Sequence, residues 1–305
     1  MSRFLIARLL QMIVALLVIT FLVFMLSHLT GSPVDALLPD DASQERIDTL
    51  IAHWSLDQPL YVQYFTFLGN AVQGDLGESL KWRGQKAFNV VLERLPATLQ
   101  LGAVAVLFSV LVGVPLGVLA GVRKGTSLDS GASVVALLGQ SLPNFWVGIM
   151  LIWLFAVYLG LLPTSGYGGL RYMILPAIAM AWYQIAALTR LTRSAMLEVL
   201  DMEYIKLARL KGVPEWKVVW KHAVRNAAIV PLTYFSVLLG SILTGSVVIE
   251  TVFGWPGVGW LAIDAIRGRD FPVVQSVVIM FALLYLVLNF FIDALYAYVD
   301  PRIRA

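Results

Sequence analysis

Side chains able to do covalent or acid–base chemistry are few and far apart in this sequence. The three histidines are His28, His53 and His222, and there is no cysteine. They fall at the end of an apolar run, in a polar loop and in a basic segment. No histidine pair, carboxylate dyad or nucleophile elbow assembles from them. Without cysteine there is no disulfide, thiolate zinc site or thiol nucleophile. No G-x-x-x-x-G-K-[ST] phosphate loop occurs. The chain is therefore read as no enzyme, with no cofactor bound to it and no metal site.

The segment between Arg190 and Arg225 is the densest in charge. It holds eight basic residues (Arg190, Arg193, Lys206, Arg209, Lys211, Lys217, Lys221, Arg225) and four acidic ones (Glu198, Asp201, Glu203, Glu215). Leu197, Leu200, Tyr204 and Leu207 follow helical spacing. Gly212 and Pro214 then end that helix, as glycine followed by proline commonly does. A second helix is expected from Pro214. Its apolar face is Trp216, Val219, Trp220, Ala223 and Val224, and Lys217, Lys221 and Arg225 stand on another face at four-residue steps. Those three cations read as a basic surface drawn to anionic membrane lipid. The sharp helix–glycine–helix turn reads as a rigid knob presented to something in the cytoplasm.

The elements that must carry this loop follow from composition. Of 305 residues, 59% are hydrophobic and 13% charged, against about 45–50% and 25% in soluble domains. Mean hydropathy is +0.80. A spanning helix takes about 20 apolar residues, and six stretches qualify that are free of Asp, Glu, Lys and Arg between their ends, save for Asp293 in the last turns of the sixth. They run over about 9–29, 98–122, 133–162, 171–190, 225–250 and 270–300. The first exceeds the roughly 7–15 residues of a signal-peptide core and lacks a small-residue cleavage site, so it is read as an uncleaved span. Lys and Arg concentrate in the N-terminus, the 123–124 loop, the 190–225 loop and the C-terminus, whereas the short loops on the other side carry only Arg171, Arg267 and Arg269. That bias places both termini in the cytoplasm.

Within the spans, Gly113, Gly117 and Gly121 share one face at four-residue spacing, a surface that a neighbouring helix approaches closely. Pro143 interrupts the third span beside Gln140, Ser141 and Asn144; it frees backbone carbonyls that need polar partners or a water-filled cavity. Gln140, Ser141, Asn144 and Gln184 are the candidate pathway-lining residues, and a structural kink is the competing account. Asp293 is expected to pair with an arginine or backbone amide near the inner surface. Between Thr30 and Leu95 the chain is polar enough to fold outside the membrane. Asp57-Gln58-Pro59 there reads as a helix start with Asp57 as cap, and Leu60, Tyr61, Tyr64, Phe65 and Leu68 follow as a packing stripe.

Several segments together resemble one family. Glu203-Tyr204-Ile205-Lys206-Leu207-Ala208-Arg209-Leu210-Lys211-Gly212, followed by His222-Ala223-Val224-Arg225-Asn226-Ala227 and Pro231, resembles the signature loop of ATP-binding-cassette (ABC) importer permeases of the oligopeptide/dipeptide branch. Gly31-Ser32-Pro33, Leu56–Tyr61, Gly74–Ser79, Leu95–Thr98, Leu142–Trp146, Val252–Gly259 and Asp300-Pro301-Arg302 extend the likeness nearly end to end. Lys206 stands where the general importer motif has glutamate and Leu207-Ala208 where it has an alanine pair, as in the peptide branch. The resemblance implies an all-α polytopic fold, the type I importer transmembrane domain, with six transmembrane helices. It implies an N-terminal span and periplasmic loop over 1–95, and a transport domain over 96–305 with its coupling loop at 190–225. It implies a permease subunit in the cell inner membrane that moves peptides or similar small solutes. The implied partners are a second homologous permease, two ATPase subunits that hold ATP and Mg, and an extracytoplasmic solute-binding protein. Nucleic acid is not among them. Glu203, Lys206, Ala208, Arg209 and Gly212 would form the ATPase contact. An ion-coupled secondary transporter or channel is the alternative, and it would want ionisable residues at mid-span.

Overall fold

The computed structural model describes residues 2–29, 43–54 and 57–299, which group into two compact units, Met1–Thr98 with Pro256–Ala305 and Leu99–Trp255. The described residues are almost wholly helical. Four helices are long and apolar enough to cross a membrane (Ile6–Leu26, Ala87–Val122, Gly169–Leu200 and Phe271–Ile292), or up to seven if each bent pair counts as one span.

The first unit contains α1 (Ser2–Leu29), α2 (Gln44–Trp54), α3 (Leu60–Val72), the start of α4 (Ala87–Val122), α11 (Val258–Arg267) and α12 (Phe271–Val299). Helix α1 packs on α12 and α3 and leaves Leu10, Val14, Val18 and Leu22 exposed, the outward surface of a helix whose solvent is lipid. Tyr64 on α3 donates to the Leu17 carbonyl at 3.0 Å, and Phe67 lies 5.8 Å from Phe24 between ring centres. The packing stripe of α3 is thus Tyr64 and buried Phe67, whereas Leu60, Tyr61 and Phe65 are exposed. Asp57 does not cap this helix. Pro59 occupies the cap without a side-chain bond, and its carbonyl accepts from Val62 and Gln63. The loop after α3 is tied down through buried Asp270, which accepts from the Ser79 hydroxyl and, at 3.1 Å, from the Lys81 amide.

The second unit holds the rest of α4, α5 (Ser127–Ser141), α6 (Asn144–Tyr158), α7 (Gly169–Leu200), α8 (Glu203–Leu210), α9 (Glu215–Ala227) and α10 (Ile229–Phe253). The single helix expected over 133–162 is two. Helices α5 and α6 meet at 108°, because Pro143 has no amide to continue α5 and its carbonyl instead receives the Val147 amide at 3.1 Å. The second half of α6 is π-helical and ends at Tyr158, five positions before Pro163. Helix α7 outruns its apolar stretch at both ends; its 32 residues span about 48 Å. The glycine stripe of α4 packs on α7 as the spacing predicts. A Cβ on Gly113 would meet Leu188 Cβ at 2.9 Å, one on Gly117 the Thr189 carbonyl at 2.6 Å, and one on Gly121 Met196 Cβ at 2.6 Å. Gly139 brings α5 onto Ala186 of α7 in the same way, leaving no room for an added Cβ.

Candidate functional site

The loop between α7 and α10 is built around a buried apolar cluster. Helix α7 supplies Ala195, Met196 and Val199, α8 supplies Ile205, α9 supplies Val218, Val219, Ala223 and Ala227, and Val118 of α4 completes it. The continuous helix expected across Leu197–Leu207 breaks at Asp201-Met202. Met202 is extended (φ −68°, ψ 147°), and its carbonyl opens α8 by accepting from Ile205 at 3.0 Å and Lys206 at 3.2 Å. The break turns Ile205, fully buried, back beneath α7. What α8 then shows outward mixes charge with apolar area: Glu203, Lys206 and Arg209 are exposed, and beside them Tyr204, Leu207 and Leu210 are 41%, 51% and 85% exposed. Three such residues on one short helix are the kind of exposed apolar area that marks a protein or membrane contact.

The turn after α8 is held in two ways. Gly212 takes φ +76°, the left-handed conformation that a Cβ disfavours, and donates to the Arg209 carbonyl at 2.9 Å. Across it, the Arg209 guanidinium grips both oxygens of Glu215, Nη2 to Oε1 at 2.7 Å and Nε to Oε2 at 3.2 Å. This two-pronged bond holds the Glu215 carboxyl below the usual glutamate range and raises the guanidinium in turn. A Cβ on Gly212 would meet nothing within 4 Å. The cost of a side chain there is backbone conformation. Lys206 stands 3.3 Å from Asp201 and 3.4 Å from Glu203. Hydrogen bonding, to Asp201 first and Glu203 second, raises its ammonium above the ordinary lysine value.

Of the five residues expected at the partner contact, Glu203 and Lys206 are exposed and paired with each other, Arg209 is committed to Glu215, and Gly212 shapes the turn. Ala208 is half-buried against the apolar cluster and seats α8 on it. The apolar face expected for α9 is also redrawn. Its buried residues are Val218, Val219, Ala223 and Ala227. Residues Val218–Ala223 form a π-helical turn, wider than an α turn, which shifts the register and parts the tryptophans from Val219 and Ala223. Trp216 and Trp220 are 63% and 56% exposed, beside Lys217 and Lys221.

The candidate pathway residues fall in two places. Gln140 and Ser141 close α5 and Asn144 opens α6, so all three flank the break at Pro143. Ser141 donates to the Leu137 carbonyl at 2.9 Å, and the buried Gln140 Nε2 has no protein partner. Gln184 is elsewhere, buried in α7, accepting from the Tyr234 hydroxyl of α10 at 2.9 Å. Of the histidines, His28 bonds Gln63 at 3.0 Å, and His222 is half-buried on α9. The side chains of His53 and Asp293, and the Gly31–Pro33 and Asp300–Arg302 segments, lie outside the described residues.

Among the ion pairs that sequence reasoning missed, two lie in or beside this loop. Glu215 was one acidic residue among four, and no periodicity rule links positions 209 and 215 across a turn. Asp129 marked only the edge of an uncharged stretch. In the fold it is buried, accepts the Gly125 amide at 2.9 Å, and binds Arg193 of α7 with both oxygens, Nη2 to Oδ2 at 3.0 Å.

Residues 113–305 match the family described as binding-protein-dependent transport system inner membrane component, and residues 1–102 match that family's N-terminal component. The oligopeptide transport system permease protein AppB of Bacillus subtilis (strain 168) is 38% identical over 315 residues, covering 100% of both chains. The di/tripeptide transport system permease protein DppB of Pseudomonas aeruginosa (strain UCBPP-PA14) is 40% identical over 316 residues, 94% of each. Among solved structures, an inward-facing form of the MetNI methionine ABC transporter superposes with a TM-score of 0.59 at 19% identity. The match covers 69% of this chain and 96% of that one.

Proposed function

The chain belongs to the family of binding-protein-dependent transport system inner membrane components, and on that footing we propose that it forms the peptide pathway of an importer whose ATP is bound and hydrolysed on other chains. It is an inner-membrane permease subunit of an ABC importer. The ion-coupled carrier or channel falls away with that membership. In the proposed assembly it pairs with a second, homologous permease in a heterodimer, two ABC ATPases carry ATP and Mg, and an external solute-binding protein delivers the peptide. Six spans cross the bilayer: α1, α4, the broken α5–α6 pair, α7, α10 and α12. The termini and the α8–α9 loop lie inside, and 1–95 with 96–305 act as entry region and transport domain.

One observation carries the reading. Helix α8 is a separate short helix, anchored by Ile205 on one side and apolar at Tyr204, Leu207 and Leu210 on the other. It is rigidly joined to the spans that it would move. Closure of the ATPase pair presses on α8, α8 carries α7 through the shared cluster, and the pathway alternates between its two openings. Glu203 and Lys206 fringe that contact, Ala208 seats it, and Arg209 and Gly212 fix its angle. Gln140, Ser141, Asn144 and Gln184 are the polar groups offered to a passing peptide backbone.

The native chain has no cysteine, so Leu207→Cys introduces a unique thiol. In the complex purified with its natural companions, a short bifunctional reagent is expected to join residue 207 to an ATPase subunit, with a yield that changes on adding ATP. A yield no higher than that of a thiol on α1 overturns the reading.

A further inference from the structure

The exposed side of α9 is unlike that of α8. Trp216 and Trp220 are more than half exposed, and Lys217, Lys221 and Arg225 stand exposed among them. The Lys217 ammonium lies 5.4 Å from the Trp216 ring centre, which holds ring and cation together on one surface. No acidic residue occurs between Glu215 and Glu250, and Glu215 is itself neutralised by Arg209. The face is therefore purely cationic. It also leads into α10, whose first exposed residues are Ile229, Val230 and Leu232, the surface of a span that meets acyl chains. Helix α9 turns 42° away from that span. Tryptophan beside lysine at the mouth of an apolar helix is the composition of a bilayer interface, the ring among the headgroups and the cation on phosphate.

We infer that this face of α9 docks on anionic phospholipid headgroups, Lys217, Lys221 and Arg225 taking the phosphates and Trp216 and Trp220 the interface, so that the bilayer surface holds the platform on which α8 rides. Zwitterionic lipid offers the same ring environment but no net negative charge. Selection therefore rests on the three cations. The inference deepens the membrane placement proposed above but does not need α8 to touch an ATPase.

The test reads lipid contact and not uptake, so its failure is separate from that of the importer reading. The full-length chain is reconstituted in phosphatidylcholine vesicles containing either brominated phosphatidylglycerol or brominated phosphatidylcholine at equal mole fraction. Bromine quenches nearby tryptophan. Subtracting the Trp216→Phe/Trp220→Phe variant isolates these two of the nine tryptophans. At low salt, brominated phosphatidylglycerol is expected to quench that signal at a mole fraction lower by up to about a hundredfold, with the preference falling about fivefold for each of Lys217→Gln, Lys221→Gln and Arg225→Gln, and narrowing at high salt. The glutamine variants, read on total emission, keep the test valid if the double phenylalanine variant does not fold. Equal quenching by the two lipids overturns the anionic selection. No quenching by either means that a protein or water covers the face, which overturns the inference outright.

Discussion

The α4–α7 contact and the α8–α9 loop use opposite means to become stiff. Between α4 and α7 the stiffness comes from absent side chains: three glycines in successive turns let the backbones meet. In the loop, beside the buried cluster around Ile205, it comes from charge and backbone angle on an exposed surface: a left-handed glycine and a two-pronged Arg209–Glu215 bond. The difference follows from the surroundings. Apolar helices in lipid gain nothing from hiding apolar area, so they associate through close packing. A loop in water has ion pairs available, yet exposed pairs contribute only about 0–1 kcal/mol each. Arg209–Glu215 therefore adds little to overall stability, and its worth is the angle it fixes. On the coupling proposed above both are needed, since a push on α8 is useful only if it arrives at α7 and α4 undiminished.

Substitution of Gly117 by leucine is the severest way to break the first region. Its Cβ would meet the Thr189 carbonyl and Thr192 Cβ at 2.6 Å, and overpacking typically costs about 1–3 kcal/mol or more. Loss of folded protein in detergent, seen as a lowered Tm and reduced yield, is expected; unchanged melting would mean that α4 and α7 do not pack this tightly. Gly113→Ala, with contacts at 2.9 and 3.0 Å, is expected to be a weaker version of the same defect.

Gly212→Leu should separate the two regions. The added side chain has open space but an unfavourable left-handed backbone, about 1–2 kcal/mol. Expression and melting are expected to stay near wild type while uptake in the reconstituted importer is lost. Gly212→Asn, which tolerates this conformation, is expected to retain most uptake. Equal activity of the leucine and wild-type proteins would show that the turn angle is irrelevant.

A charge exchange sharpens the point. Arg209→Glu and Glu215→Arg, each alone, set like charges face to face and are expected to lower transport per ATP hydrolysed several-fold; together they restore the pair and most of the coupling. No recovery in the double variant would assign Arg209 to the ATPase contact instead.

The mildest effect is that of pH. Because the folded Glu215 carboxyl sits below its ordinary value, the pair's contribution is complete above about pH 4.3, the unfolded reference, and fades as pH falls through the lower, folded value. Hydrogen exchange at the 209–215 amides is expected to lose protection selectively on acidification in that range, whereas the α4–α7 amides do not respond. A parallel loss in both regions would make the effect global.

Much of this architecture is written in spacing. Hydropathy located the apolar segments, the four-residue glycine repeat marked the tight face of α4, and Gly212 with Pro214 ended α8 where the fold ends it, because such signals are local and need no partner. The failures share a cause. Whether Pro143 bends a helix or splits it into two at 108° depends on what Gly139 and Ala186 demand of the packing. The break at Asp201-Met202 exists to bury Ile205, and the outward turn of Trp216 and Trp220 follows from a π-helical register that no residue pattern encodes. Composition and periodicity sufficed to make this a polytopic helical membrane protein, with a basic helix–glycine–helix loop, since those properties follow from the chemistry of each residue and its near neighbours. Which arginine meets which carboxylate, and which side of α9 faces outward, required the chain to be folded, because both are set by residues brought together from distant turns.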